Sequence, residues 1–192
     1  MNAESFDFQY GNLYTGKSPV RLLGCRGYKL TGGERNHLGI YDDAIIGCID
    51  DKVSTFQAST DPGQYYLNNP LDPKGCAQLC LGLWYFTIGL HKGHLALKQA
   101  SKFRVNRLDS KGKINCTQDG WFGIDIHSGG ASPDVNRWSA GCQIIYCSEG
   151  GWGKTWENFF EPIYQRLKGS STVEIPYLLI DSQQALPPPA NI

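Results

Sequence analysis

The stretch Gly120–Tyr146, GWFGIDIHSGGASPDVNRWSAGCQIIY, constrains the chain more than any other. Two apolar runs flank a polar loop, and one His and one Cys stand at their facing ends. Trp121 to His127 alternates, which predicts a strand with Phe122, Ile124 and Ile126 on one face and Gly123, Asp125 and His127 on the other. The chain breaks at Ser128-Gly129-Gly130 and runs polar to Arg137. A second apolar run, Cys142–Cys147, follows Ser139-Ala140-Gly141. Two adjacent strands joined in this way bring His127 and Cys142 together. A His beside a Cys holds it as thiolate, the nucleophilic form, below the free thiol pKa of about 8.5. The flanking glycines allow close backbone approach, and backbone N–H groups near Cys142 would stabilise an oxyanion. Asp125 shares a predicted face with His127 and is the first candidate to orient it; the carbonyls of Ser128 or Gly129 would serve equally. The alternative is a buried structural Cys and a core-facing His.

The order His127-Ser128-Gly129-Gly130, then Trp138-Ser139-Ala140-Gly141-Cys142-Gln143, resembles the catalytic motif of the L,D-transpeptidase (YkuD-like) family. That motif has a His-containing HxG segment, a spacer, then S-H-G-C and a small polar or basic residue. The resemblance implies that Cys142 is the acyl-accepting nucleophile and His127 its base, with Ser139 and Gly141 shaping the nucleophile loop and oxyanion hole. Two positions depart from the motif. Ala140 stands where the second His would be, and Gln143 where an Arg often follows the Cys. Arg137 is the cation that would take over a substrate carboxylate. Gln143, Gly129, His91 and Trp138 complete the expected substrate-binding set. From about Leu38 to Cys147 the chain looks like divergent YkuD-like proteins of bacteriophage genomes and some bacterial toxins.

The rest of the chain reads as β-rich. Twenty-three glycines, 12% aromatic residues and a single Met favour a turn-rich β domain over a helical bundle. Residues 1–35 are weakly patterned, with Phe6, Phe8 and Tyr10 alternating and Leu13-Tyr14 and Val20–Leu23 as short strands. They read as an extension packing on a single domain, 36–182, with a mobile Pro-rich tail at 183–192. Ile45–Ile49 and Lys52–Ala58 form a predicted hairpin. The acid pairs Asp42-Asp43 and Asp50-Asp51 read as solvated turn residues. Ser59–Tyr66 reads as a turn and an aromatic strand, similar to the T-P-x-G-x-Y/F element of YkuD-like domains. Leu81–Leu90 is a predicted central strand, and Leu95–Ala100 and Phe103–Leu108 continue its sheet, with a tight turn at Asp109–Gly112. Apolar residues recur at Trp156, Phe159, Phe160, Ile163 and Leu167 with helical spacing, and Pro162 is expected to kink that helix or start a second one. Val173–Asp181 is the last strand. The fold class is therefore mainly β (α+β), a YkuD-like sandwich or curved sheet with a C-terminal helix.

Charge and cysteine usage narrow the function classes. Eighteen basic residues balance eighteen acidic ones, with no basic block, so nucleic acid is not an expected partner. No apolar run has the length of a membrane span. The N-terminus has neither a basic n-region nor an apolar h-region, so cytoplasmic synthesis without a signal peptide is expected. Seven cysteines leave at least one unpaired in a monomer, the expected state, and free thiols are expected at Cys25, Cys48, Cys116 and Cys147. No cofactor and no metal are expected. The resemblance to the L,D-transpeptidase family implies the peptidoglycan stem peptide as partner, reached after lysis, release or injection, by a phage lytic or wall-modifying enzyme or by a toxin. Two further readings stand beside this one: a non-catalytic wall-binding or virion module, and a zinc peptidase using His91, His94 and His127.

Overall fold

The computed structural model describes residues 18–28, 36–50, 52–170 and 173–182. Eleven strands and two helices follow one another within these residues. They are β1 Val20–Arg26, β2 Asp43–Ile49, β3 Lys52–Ser59, α1 Gln64–Asn68, β4 Cys76–Leu79, β5 Gly82–His91, β6 His94–Gln99, β7 Phe103–Leu108, β8 Ile114–Gly120, β9 Ile126–Ser128, β10 Gln143–Ile145, α2 Lys154–Leu167 and β11 Ile175–Asp181.

The mainly β class with a C-terminal helix holds, and the curved sheet closes on itself. Eight strands form a barrel in the order β1-β11-β5-β6-β9-β10-β3-β2, with β2 returning to β1. Closure removes the sheet edges that an open sandwich would expose. Two neighbours run parallel, β1 with β11 and β9 with β10. The remaining strands, β4-β7-β8, form a separate antiparallel sheet. Phe103–Leu108 therefore belongs to this second sheet and does not continue the first. The described part of the expected N-terminal extension is also different: β1 is a stave of the barrel, bonded to β2 and β11. Phe6 to Tyr14 and the Pro-rich tail lie outside the described residues.

One apolar core joins both sheets and α2. Leu22, Ile45, Phe86, Leu97, Ile126, Ile145 and Tyr177 meet Leu79, Phe103 and Val105 of the second sheet and Trp156, Phe159, Phe160, Ile163 and Leu167 of α2. Each such side chain, fully buried, contributes about 1.5–3 kcal/mol. Successive residues of β1, β2 and β11 enter different clusters, because neighbouring side chains point to opposite faces: Leu22 and Tyr177 join the main core, Leu23 and Leu178 a second one. Helix α2 is a single helix through Pro162, with Glu157 in its first turn and Arg166 in its last, the arrangement its dipole favours. Gly169, at φ +85°, follows its end. No helix among the described residues is long and apolar enough to cross a membrane.

Three further expectations are corrected. Residues 121–125 are irregular and only Ile126–Ser128 is strand, because Gln99 Oε1 accepts the amides of Phe122 and Gly123, at 2.9 and 3.0 Å, that a neighbouring strand would take. Tyr65 and Tyr66 lie in α1, not in a strand. The Gly63 carbonyl accepts the amides of Tyr66 and Leu67 and starts that turn. Asp42 and Asp43 are 2% and 0% exposed, so they are not solvated turn residues; Asp50, whose partner is Arg166 at 2.9 Å, sits at the surface, and Asp51 lies outside the described residues.

Candidate active site at the β9–β10 junction

His127 lies in β9 and Cys142 directly precedes β10. The parallel register sets His127 opposite Ile144. Cys142 is two residues before Ile144, so it projects to the same face as His127. Gln143 and Ile126 point to the opposite face. The expected pairing of His and Cys is thus built by strand parity and a parallel bridge.

His127 is 3% exposed. Its Nδ1 bonds the Ser128 carbonyl oxygen at 2.7 Å, the backbone orienter anticipated from sequence. A carbonyl only accepts, so Nδ1 carries the proton and Nε2 keeps its lone pair. Nε2 is buried with no partner. Asp125 does not orient His127. Its carboxylate accepts from His91 Nδ1 at 2.7 Å, from Lys98 Nζ at 2.5 Å and from the Gln99 amide at 3.3 Å. Burial alone would raise Asp125, but the bonds from His91 and Lys98 outweigh it and hold the carboxyl below its usual range. The His91 ring stacks on His127 at 4.3 Å, with planes 13° apart. One ligating atom from each of His91, His127 and Cys142 lies within 4.8 Å of the other two.

The electrostatics differ from the expected thiolate. Burial, then His91, lowers His127 to about 4. Desolvation pushes the Cys142 thiol up to about 12, although the side chain is only half-buried and faces a cavity. The sulfur is crowded on its protein side, where the thiol donates to the Gly123 carbonyl at 3.6 Å. The resting pair is therefore neutral imidazole and neutral thiol.

The His127 shift has a consequence for stability. The unfolded imidazole titrates near 6.5 and the folded one near 4. Between these values the unfolded chain binds more protons, so stability rises with pH across that window, by roughly 3 kcal/mol in full. The change in urea midpoint from pH 4.5 to pH 7 is expected to be more positive in wild type than in His127→Gln; the raised Asp43 acts in the opposite direction and is common to both. Equal slopes in the two proteins would refute this assignment.

Ser139 and Gly141 shape the nucleophile loop. Ser139 Oγ accepts the Gly141 amide at 3.0 Å and donates to the Cys142 carbonyl at 2.8 Å. Gly141 has φ +132°, and a Cβ there would lie 2.7 Å from the Ala77 carbonyl oxygen. The Gly141 amide is spent on Ser139 and the Gln143 amide on the Asp125 carbonyl at 2.9 Å, so neither supplies an oxyanion donor in this loop.

A cavity of about 540 Å³ opens above the pair. His91, Arg137 and Trp138, three of the residues assigned to substrate from sequence, line it. Arg137 holds its guanidinium 3.8 Å over the Tyr65 ring. Gln143 and Gly129 do not line it, and their expected substrate contacts are corrected. Gln143 is fully buried, donating to the Gly141 carbonyl at 3.2 Å and accepting from Tyr177 at 3.1 Å. Gly129 is a packing glycine: an added Cβ would strike the Tyr41 hydroxyl and lie 2.9 Å from the Ile145 carbonyl oxygen. His94 is outside the cluster, stacked on Trp152 at 4.5 Å, so the His91/His94/His127 zinc set does not assemble.

Comparison with protein-family models, with curated proteins and with solved structures finds no match for this chain. The site rests on its own geometry. That geometry adds residues that sequence reasoning missed: Lys98 behind Asp125, and Lys92, Arg107, Trp121 and Phe122 along the cavity. The alternation of β5 and β6 around Lys92-Gly93 was the only signal for Lys98, and it does not name a partner.

Proposed function

We propose that this chain is a cysteine acyl-transfer enzyme acting on peptidoglycan stem peptides, an L,D-transpeptidase or an L,D-carboxypeptidase or endopeptidase. One observation carries the reading: a buried imidazole, tied at Nδ1, presents a partnerless Nε2 beside a cysteine that opens on a cavity. Nε2 takes the thiol proton and the sulfur attacks the substrate carbonyl carbon. The carbon–nitrogen bond breaks, and the leaving amine carries that proton away. An amine or water then attacks the thioester: His127 takes the incoming group's proton, the carbon–sulfur bond breaks, and the departing Cys142 sulfur takes that proton back, restoring the neutral pair. Arg137 and Lys92 give the cavity positive charge suited to a stem-peptide carboxylate. His91 supports the reading by supplying a second imidazole where the motif's own is replaced by Ala140. The neutral resting pair requires that the proton pass to His127 as the sulfur attacks the substrate carbonyl, and does not rely on a standing ion pair. A phage lytic or wall-remodelling role, or that of a delivered toxin, fits this substrate.

The elevated thiol favours the second reading, a wall-binding module that keeps the fold. Intact-protein mass spectrometry separates the two. Incubation with stem tetrapeptide, and separately with a carbapenem, is expected to give a covalent adduct on Cys142 and conversion of tetrapeptide to tripeptide or to an exchanged product. Folded, reduced protein that forms no adduct and turns nothing over would reject the enzyme reading in favour of the binding module.

A further inference from the structure

We infer that His91, His127 and Cys142 form a binding site for a thiophilic divalent cation such as Zn²⁺, with its fourth position open to the cavity.

Three features build the site. First, the donors are already gathered: one atom from each residue lies within 4.8 Å of the others. Tetrahedral zinc, with nitrogen at about 2.0–2.1 Å and sulfur at about 2.3 Å, asks for donor separations of about 3.3–3.6 Å, so the cluster contracts by about 1 Å on capture. Second, both rings are anchored at Nδ1, His91 by the Asp125 carboxylate and His127 by the Ser128 carbonyl. Those two partners are the kinds that orient metal-binding imidazoles, and they leave Nε2 of each ring as the donor. Lys98 in turn holds Asp125. Third, His127 Nε2 is a buried polar atom with no hydrogen-bond partner, which an ion would satisfy.

The ring geometry says which residue moves. An ion shared by two imidazoles lies in the plane of both, and these planes are nearly parallel. His127 is buried and tied to its own strand. His91 ends β5 at the hairpin turn Lys92-Gly93, is more exposed, and tilts out of the stack toward the ion. On capture the Cys142 sulfur exchanges its proton for the metal, and the proton leaves to solvent. The metal-bound thiolate is no longer a free nucleophile, so Zn²⁺ switches off acyl transfer. The site differs from the zinc set considered from sequence: Cys142 replaces His94, and the ion does not activate water for the proposed reaction.

The test is titration of the reduced full chain with Co²⁺ as the probe, which reports ligand type directly and stands apart from any activity. One ion per chain is expected, with a thiolate-to-cobalt charge-transfer band and the visible bands of a four-coordinate site, and with Zn²⁺ displacing the cobalt. Cys142→Ser is expected to lose the thiolate band. Asp125→Asn is expected to weaken affinity by about 10–100-fold, as loss of an orienting partner does. His91→Asn is expected to weaken it at least as much, and His94→Asn to leave it unchanged. A thiolate band that persists in Cys142→Ser would assign the metal to another cysteine and overturn the proposal. So would absence of a band in wild type, or equal affinity in wild type and His91→Asn. Should Asp125→Asn fail to fold, His91→Asn and Cys142→Ser decide.

Discussion

Cys142→Ala is expected to lower stem-peptide turnover by a factor on the order of 10⁴–10⁶, and His127→Ala by a comparable factor. The two losses are similar because the residues act as a unit: a neutral thiol pushed up to about 12 is a poor nucleophile without a base, and the base has no other proton to take. The double variant is expected to be little worse than either single one. Steady-state assay by product mass measures all three. Burial lowers His127 to about 4, so the acid limb of kcat/KM is expected near that value and not near 6.5. Both variants are expected to stay folded: Cys142→Ala gives up one weak thiol bond to the Gly123 carbonyl, and His127→Ala one bond, from Nδ1 to the Ser128 carbonyl. Turnover within tenfold of wild type in folded Cys142→Ala would remove the cysteine mechanism.

Asp43→Ala is expected to destabilise the fold by about 3–5 kcal/mol, a large part of the about 5–15 kcal/mol that a domain possesses. Asp43 is fully buried, and its carboxylate accepts the Gly27 amide at 2.6 Å, the Thr60 amide at 2.5 Å and the Thr60 hydroxyl at 2.8 Å. Arg26, 6% exposed, crosses the same network, donating to the Thr60 hydroxyl and carbonyl at 3.0 Å and to the Leu79 carbonyl at 2.9 Å, and pairing with Asp61 at 3.3 Å. This ties β1, β3 and β4 together, which joins the barrel to the second sheet. Removing the carboxylate strands three buried donors. Desolvation and the nearby Asp61 raise Asp43, so its charge is already costly, and Asp43→Asn, which keeps one acceptor, is expected to lose less. Chemical denaturation at pH 7 measures both. A loss below 1 kcal/mol for Asp43→Ala would show that water replaces the carboxylate.

Local patterns carried much of the architecture. The β2–β3 hairpin follows from two β-branched runs around an acid turn, and Asp50 takes φ 50° there. The α2 stripe at Trp156, Phe159, Phe160, Ile163 and Leu167 is a periodicity that only a helix satisfies. The turn at Asp109–Gly112 follows from an Asp that caps its own loop and a glycine at φ +79°. These are short-range rules, in which the residues that decide the outcome are neighbours in sequence.

Pro162 shows where such rules stop. Its cost to the helix is local, but the apolar stripe on either side of it packs into one core, and that burial keeps α2 whole. Asp42 and Asp43 look like any solvated acid pair until Arg26, His37 and Thr60 arrive from elsewhere in the chain.

That the chain is mainly β with a C-terminal helix, and that His127 and Cys142 stand at the facing ends of two short apolar runs, follows from local pattern alone. Alternation and turn chemistry are properties of neighbouring residues. Barrel closure, the parallel β9–β10 bridge, the capture of Asp125 by His91 and Lys98, and the burial of Gln143 were decided only by the tertiary structure. Each depends on which distant strand lies alongside, and burial, not spacing, sets whether a polar side chain meets substrate, a neighbour or no partner.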